Sequence, residues 1–376
     1  MFSTTLQKIL ADNLEGILSR NRFSLDQYKA LCKLSQCRTA ALGGHAQYCS
    51  AGHLNGVWYN SCKHRACPQC QGKASENWLL NTQDVLLNCP HHHVIFTLPE
   101  SLNSLWRYNR ELMSGLLFQA VQETLKTFSR DPRYLAAMPG LLLALHTWGR
   151  SLSLHPHLHV LISHGGINKD GHWVEPKKRQ LFPQKPVMQV YRGKMLDLLK
   201  QALISGELVL PPDRRHHHVK AQLNKLGRQD WVVHFCKRYD HARGVAKYLA
   251  RYVKGGPFNN RQLGSVSGTQ ICFRYKSHQT GRQETLRLTP DAFIQRLVQH
   301  VPIHGKPSLR YGGLYTSPAR PKLNEARKQL NQAPVSQRRL LAWQDYLEGK
   351  GFSPNCEICG EPLFHRETVK SLRSVA

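Results

Sequence analysis

The chain is poor in acid. Against 52 lysines and arginines it carries 24 aspartates and glutamates, a formal charge of +28 over 376 residues. No carboxylate triad of the kind that two-metal phosphoryl transfer needs is visible, which sets that chemistry aside. No apolar run approaches the roughly 20 residues needed to span a bilayer, and no basic amphipathic helix with an aromatic face stands out to lie on one. The first twenty residues lack both the continuous apolar core and the small-residue cleavage site of a secretion leader. An intracellular chain is therefore expected, with its 11 cysteines binding metal rather than forming disulfides. What remains is a basic globular chain, long enough for a real core and two or three domains, whose default partner is a polyanion.

The strongest chemical signal is His155-Pro-His157-Leu-His159-Val-Leu-Ile162. Leu154, Leu158, Val160 and Ile162 mark one face of an expected strand. His155, His157 and His159 fall on the other, because successive strand side chains alternate. Imidazole binds metal as the neutral base, the form that dominates near pH 7, so His157 and His159 are candidate ligands of one divalent ion. A wet strand face would give the same pattern without a metal. Gly140 to Gly149 reads as a buried strand, antiparallel to the first through a short loop at Gly149 to Leu152. His146 on it is either a third ligand or a satisfied core histidine.

A second signal is the helical run from Asp240, an expected N-cap, to Gly255, an expected stop. Tyr248 and Tyr252 are four apart and share a face. They border the stripe Val245, Leu249 and Val253, so by themselves they read as residues at a core edge.

From Cys37 to Cys70 the ligand types crowd together: Cys37, His45, Cys49, His53, Cys62, His64, Cys67 and Cys70. Cys67-Pro-Gln-Cys70 is a zinc knuckle, and Cys49-x-x-x-His53 is expected to close its tetrahedral site. Cys37, His45, Cys62 and His64 would make a second, interleaved one. Arg38, Lys63, Arg65 and Lys73 thread among them and suggest DNA contact. Near the other end, Cys356-Glu-Ile-Cys359 is half a zinc site, with His365 as a possible third ligand.

Elsewhere, helices are expected over Leu6–Leu18, Leu25–Leu34, Leu102–Phe128, Val190–Ser205 and Pro290–Val301, with a basic one from Lys322 to Leu347. Strands are expected at Val94–Leu98 and Asp230–Phe235, and as a pair at Ile271–Tyr275 and Glu284–Leu288. Lys169 to His172 reads as a hairpin tip. The histidine triplet His91–His93 and the run in Pro211–His218 read as solvated loops.

His-hydrophobic-His together with Tyr-x-x-x-Tyr resembles the paired-tyrosine HUH nucleases. His146-Thr-Trp-Gly149, His155-Pro-His-Leu-His159 and Tyr248-Leu-Ala-Arg-Tyr252, in that order, resemble the transposases of rolling-circle insertion sequences of the insertion sequence 91 type. The likeness runs from about Cys37 to about Tyr315, with a weaker echo at the C-terminus, and includes Arg192-Gly193-Lys194 and Leu309-Arg310-Tyr311-Gly312-Gly313-Leu314, which resembles the family's Arg-x-Tyr-Gly-x-Leu segment. It departs from its relatives at Gly52, where they more often have Cys, and at Ala66, where they more often have His.

The resemblance implies an α+β fold: an antiparallel, HUH nuclease-like sheet flanked by helices, with an N-terminal zinc-binding module. The expected division is a helical segment at 1–36, the zinc-binding domain at 37–90, the catalytic domain at 91–316 and a basic tail with the cysteine half-site at 317–376. It implies that Tyr248 and Tyr252 are nucleophiles forming 5′-phosphotyrosine, that His157 and His159, with His146, hold Mg²⁺ or Mn²⁺, and that one or two Zn²⁺ are structural. Arg243, Lys247, Arg251 and Lys254 would contact phosphates. The expected partner is single-stranded DNA at transposon ends and target, with host replication proteins possible and a nucleoid-associated, cytoplasmic location. The rivals are a plasmid replication initiator or relaxase of the same chemistry, and a non-catalytic zinc DNA-binding regulator.

Overall fold

A computed structural model describes residues 5–236, 238–240, 257–264, 270–277, 280–336, 340–363 and 365–371. Its centre is a six-stranded sheet. Strands β3 (His91–Thr97), β4 (Met138–Trp148), β5 (Leu154–Ile167), β6 (Trp173–Val174), β7 (Val233–Phe235) and β10 (Leu309–Gly313) pair antiparallel throughout. The order is β10-β4-β5-β3-β7, with β6 added to the end of β5. The fold is therefore the expected antiparallel α+β arrangement. No helix among the described residues is long and apolar enough to cross a membrane.

Alternation decides which face each helix covers. Val94, Phe96, Leu158, Val160 and Ile162 point one way and are buried with Leu117, Phe118, Val121 and Leu125 of α5 (Arg110–Arg130) and Tyr191, Met195 and Leu199 of α6 (Gln184–Ile204). The i, i+4 spacing of those helical residues makes the stripe that the sheet receives. Leu142, Ala144 and Leu161 point the other way, against Leu86, Leu87, Tyr315, Leu323 and Ala326. This second face also carries the histidines of interest.

A separate core joins the N-terminal helices α1 (Leu6–Arg20) and α2 (Leu25–Ser35) to α8 (Pro290–Val298) and to the hairpin of β8 (Ile271–Lys276) and β9 (Gln283–Leu288). Ser24 and Gln27 cap α2 reciprocally, each satisfying an otherwise orphaned backbone N–H. Thr289 caps α8 ahead of Pro290. Cys37, Cys67 and Leu152 are buried in the same core. Leu152 belongs to the β4–β5 turn, so the cysteine-rich segment shares one core with the tip of the hairpin that carries His146 and His157.

Three expectations need correction. The triplet His91–His93 is no solvated loop: it opens β3, and all three rings are buried. His91 donates from Nδ1 to the Cys89 carbonyl at 2.8 Å and accepts at Nε2 from Tyr315 Oη at 2.6 Å. His92 meets His164 at 2.7 Å. The run at His216–His218 does face solvent, but it begins helix α7 (His216–Leu226) rather than ending a loop. The basic helix expected from Lys322 to Leu347 is two: α9 (Arg320–Gln329) stops before Asn331, which takes a left-handed φ of 54°, and α10 starts only at Trp343. Pro334, which cannot donate to a helix ladder, falls in the gap.

Part of the expected basic tail returns to the N-terminal module. Strand β11 (His365–Val369) pairs antiparallel with β1 (Gly44–Tyr48), which pairs with β2 (Leu54–Tyr59).

The Tyr315 contact gives one test. A β-carbon on Gly140 would lie 2.3 Å from the Tyr315 ring, and that ring is fixed by His91 and by the Leu87 N–H. Gly140→Ala is expected to cost about 1–3 kcal/mol by overpacking, read as a lower urea midpoint with an unchanged slope.

The buried histidines give a second. Burial holds His300 at about 4, while its Nε2 donates to the Leu152 carbonyl and its Nδ1 accepts from Thr147. The unfolded ring titrates near 6.5. Between those values the unfolded chain takes up a proton that the folded chain refuses, so stability falls as pH drops from about 6.5 toward 4 and is indifferent above. His300→Gln should therefore flatten the slope of unfolding free energy against pH by up to about 1.4 kcal/mol per unit in that window. Equal slopes in the two proteins would refute the assignment.

Candidate metal centres

The register of two strands builds the first centre. In the β4–β5 pair, His146 lies opposite His157 and Ala144 opposite His159. The small Ala144 leaves room beside the two imidazoles of β5. One ring nitrogen from each of His146, His157 and His159 lies within 4.8 Å of the others, and the group contains no carboxylate. His157 Nε2 and His159 Nε2 are 3.1 Å apart. All three residues are buried, at 3%, 9% and 5% exposure. The expectation that alternation would bring His157 and His159 together, with His146 across from them, matches this placement. His155, on the same strand, is exposed and stays outside the group.

The outer nitrogens decide the tautomers. His157 Nδ1 is 2.6 Å from the His155 carbonyl, which can only accept, so the proton sits on Nδ1 and the lone pair on Nε2 faces the centre. His159 Nδ1 is 2.8 Å from His93 Nε2. A proton donated outward along that contact likewise leaves His159 Nε2 with its lone pair inward. Trp148 stacks on His146, with ring centroids 4.9 Å apart and planes 15° from parallel. Burial pulls His157 down to about 4, and it pulls His146 and His159 well below the usual imidazole range, neighbouring imidazoles adding to the effect. The rings are therefore neutral at pH 7, the form that ligates a metal.

His93 is the residue that sequence reasoning missed. The signal was present: His91, His93, Ile95 and Thr97 continue the period of two set by Val94-Ile-Phe-Thr97, on the face that β3 shares with His157 and His159.

Tyr248 and Tyr252, with Arg243, Lys247, Arg251 and Lys254, lie outside the described residues. The chain enters that segment at Tyr239 and Asp240. Tyr239 bridges to His91 through two backbone hydrogen bonds, and its ring centroid is 6.4 Å from that of His93. It leaves at Pro257, which lines a cleft of about 760 Å³ with Trp148 and His300. The same cleft gathers Arg65, Arg110, Lys126, Lys306 and Arg310. Glu111 pairs with Lys306 at 2.7 Å, and the Arg310 guanidinium sits 4.1 Å from the Phe118 ring centroid.

The cysteines group differently from the expected pairing. Cys67 and Cys70 converge with Cys37 and Cys62, not with Cys49 and His53. Cys62 Sγ is 3.8 Å from Cys70 Sγ, and Cys37 Sγ is 3.5 Å from Cys67 Sγ. Tetrahedral zinc with bonds of about 2.3 Å needs sulfur–sulfur edges of about 3.8 Å, so this all-thiol set fits a structural zinc. The thiols of Cys37, Cys62 and Cys67 together hold Cys70 far below its ordinary range. Cys49 and His53 instead converge with Cys356 and Cys359, and the side chain of His365 lies outside the described residues. His45 and His64 join neither set. The His45 ring stacks near Trp58, and His64 Nδ1 accepts from the Ala66 N–H. Spacing could not have revealed this, because short separations between ligands were equally consistent with either pairing.

Comparison with known proteins agrees with these features. Residues 140–322 match the family described as "Putative transposase", and residues 9–98 match the "Transposase zinc-binding domain". A protein of Sinorhizobium fredii (strain NBRC 101917 / NGR234), named "Putative transposase y4qJ", is 35% identical over 297 residues, covering 77% of this chain and 74% of its own length. The "Transposase for insertion sequence element IS801" of Pseudomonas savastanoi pv. phaseolicola is 28% identical over 359 residues, covering 92% of this chain and 85% of its own. Zinc-binding module, antiparallel sheet and relatives agree: the chain is a DNA-processing enzyme and belongs to the transposases of insertion sequence 91 type.

Proposed function

We propose that the chain nicks and joins single-stranded transposon-end DNA by transesterification through tyrosine. The observation that carries this reading is the three-imidazole group His146–His157–His159, all neutral and all converging; the Tyr239 ring lies 6.4 Å from that of His93, which contacts His159. A carboxylate-based mechanism has no counterpart in that group.

The donor set fits a divalent ion held by His146, His157 and His159. Three nitrogen donors suit Mn²⁺ better than Mg²⁺, which prefers oxygen. Such an ion, when bound, would polarise a phosphoryl oxygen and help orient the phosphate. The protein residues supply the rest. His93 and the His155 carbonyl hold the outward nitrogens of His159 and His157, which keeps the inward lone pairs aimed. The hydroxyl of Tyr248 or Tyr252 would attack the phosphorus. The new bond joins the tyrosine oxygen to the 5′ phosphate, the bond to the 3′ oxygen breaks, and the proton lost by tyrosine balances the one gained by the 3′-hydroxyl. Because a phosphodiester is exchanged for a phosphodiester, the joint remains available for transfer to another strand. Two tyrosines would allow two strands to be held at once. Arg243, Lys247, Arg251 and Lys254 would contact backbone phosphates, and the basic cleft around Arg110 and Arg310 offers a further path for the strand.

A transposon-end oligonucleotide labelled on the strand 3′ of the cleavage site tests the chemistry. Tyr248→Phe and Tyr252→Phe should each lower the yield of covalent protein–DNA adduct on denaturing gels, and the double variant should give none. Adduct undiminished in the double variant would eliminate the reading. His93 tests the metal support separately. His93→Ala should raise the Mn²⁺ concentration for half-maximal adduct roughly 10- to 100-fold while saturating Mn²⁺ restores most of the rate. An unchanged Mn²⁺ dependence would show that the contact to His159 does not position the ligand.

A further inference from the structure

We infer that Cys49, His53, Cys356 and Cys359 form a second zinc site that fastens the C-terminal strand to the N-terminal module. It is independent of the strand-transfer chemistry, and Cys356 and Cys359 fall outside both matched family segments.

Three of the six donor–donor distances have the length of tetrahedral edges, and all four donors lie within 4.8 Å of one another. With zinc–sulfur bonds of about 2.3 Å and zinc–nitrogen bonds of about 2.0–2.1 Å, edges should be about 3.8 Å between sulfurs and about 3.6 Å between sulfur and nitrogen. Cys49 Sγ is 3.6 Å from Cys359 Sγ and 3.5 Å from His53 Nδ1, and Cys356 Sγ is 3.8 Å from His53 Nδ1. A disulfide needs its sulfurs at about 2.05 Å, and the three cysteines are free thiols.

Both halves are shaped for ligation by their backbones. Gly52 takes a left-handed φ of 80°, which turns the chain back so that Cys49 N–H reaches the His53 carbonyl at 3.2 Å. The other half is a small hairpin. Asn355 bridges Pro362, Cys356 N–H reaches the Glu361 carbonyl at 2.8 Å, and Ile358 N–H points at Cys356 Sγ at 3.4 Å. The two halves are 303 residues apart along the chain at the His53–Cys356 contact. They are brought together by adjacent backbone pairing. Tyr48, one residue before Cys49, registers with His365, and Gln47 Nε2 donates to the Leu363 carbonyl at 2.7 Å.

Three cysteines and one histidine at tetrahedral spacing are the donor set of structural zinc, with no position left open for a substrate. Metal binding here would close a loop containing most of the chain and would stabilise β11 on β1, since apo cysteine sites contribute little order of their own.

The test uses the full-length protein purified with zinc. Elemental analysis of C356S/C359S should show one zinc per chain fewer than the unsubstituted protein. Iodoacetamide footprinting of the unsubstituted protein needs no variant to fold. Cys356 and Cys359 should react at least about tenfold faster after chelation than before, with Cys49 following them, because bound thiolates are shielded. Cys359 is exposed and Cys37 and Cys67 are buried, so a mild chelator should release the C-terminal cysteines before the Cys37 group. Equal zinc content in the two proteins, free alkylation of Cys356 and Cys359 before chelation, or recovery of either cysteine as a disulfide would overturn the assignment.

Discussion

The structure depends on keeping a row of imidazoles neutral inside a sheet. A buried polar ring must have its nitrogens satisfied or the fold loses the full desolvation penalty. Here each outer nitrogen is assigned to a partner: His157 to the His155 carbonyl, His159 to His93, and His91 to the Cys89 carbonyl and Tyr315. The His155 carbonyl settles where the proton of His157 resides, and the Nε2 atoms of His157 and His159 face each other 3.1 Å apart. Ligand geometry at the centre is thus a by-product of ordinary hydrogen-bond satisfaction at its edge. The antiparallel register does the remaining part by setting His146 against His157 without any loop having to carry a ligand.

The cysteine-rich module is tied into this arrangement by packing. Cys37 and Cys67 share a core with α1, α2, α8 and Leu152. Leu152 takes a φ of 58° although it is not glycine, a conformation that costs roughly 1 kcal/mol and persists only where the surroundings hold it. Its side chain is buried among the helices, its carbonyl accepts from His300, and Arg296 donates to the neighbouring Ser151 carbonyl. Zinc held by the four thiols would therefore stabilise the turn of the hairpin that bears His146 and His157. A module whose direct duty is structural would, in this way, also keep the histidine strands in register.

How much of this was legible follows from how local each signal is. The β4–β5 hairpin could be read because a short loop joins two apolar strands, and alternation then put His157 and His159 on one face. His91–His93 was misread because a histidine triplet looks polar, whereas neutral imidazoles that hydrogen-bond one another, as His92 does with His164, bury readily. The zinc ligands were recognised as residue types but assigned to the wrong sets. Spacing carries information only about neighbours in sequence, and the partners of Cys49 and His53 lie beyond residue 350. The pairing of β11 with β1 is equally non-local and leaves no trace in either segment alone. The break between α9 and α10 did leave one, in Asn331 and Pro334, and the basic periodicity on either side obscured it.

The scarcity of acid and the all-imidazole centre belong to one design. A carboxylate ligand would subtract charge from a bound cation and repel the phosphate brought to it. Neutral donors leave a divalent ion its whole charge, at the cost of the affinity that anionic ligands would add. In the proposed function orientation would offset that cost, since the outward contacts of His157 and His159 hold their rings in place. The same economy shows over the whole chain, where 52 basic residues stand against 24 acidic ones, an excess that would attract a polyanion over distances that the centre, buried and small, cannot reach. On the proposed function, long-range attraction and local polarisation would be separate tasks, the first of lysine and arginine and the second of an ion held by the neutral histidines. A chain that used aspartates for the second would weaken the first.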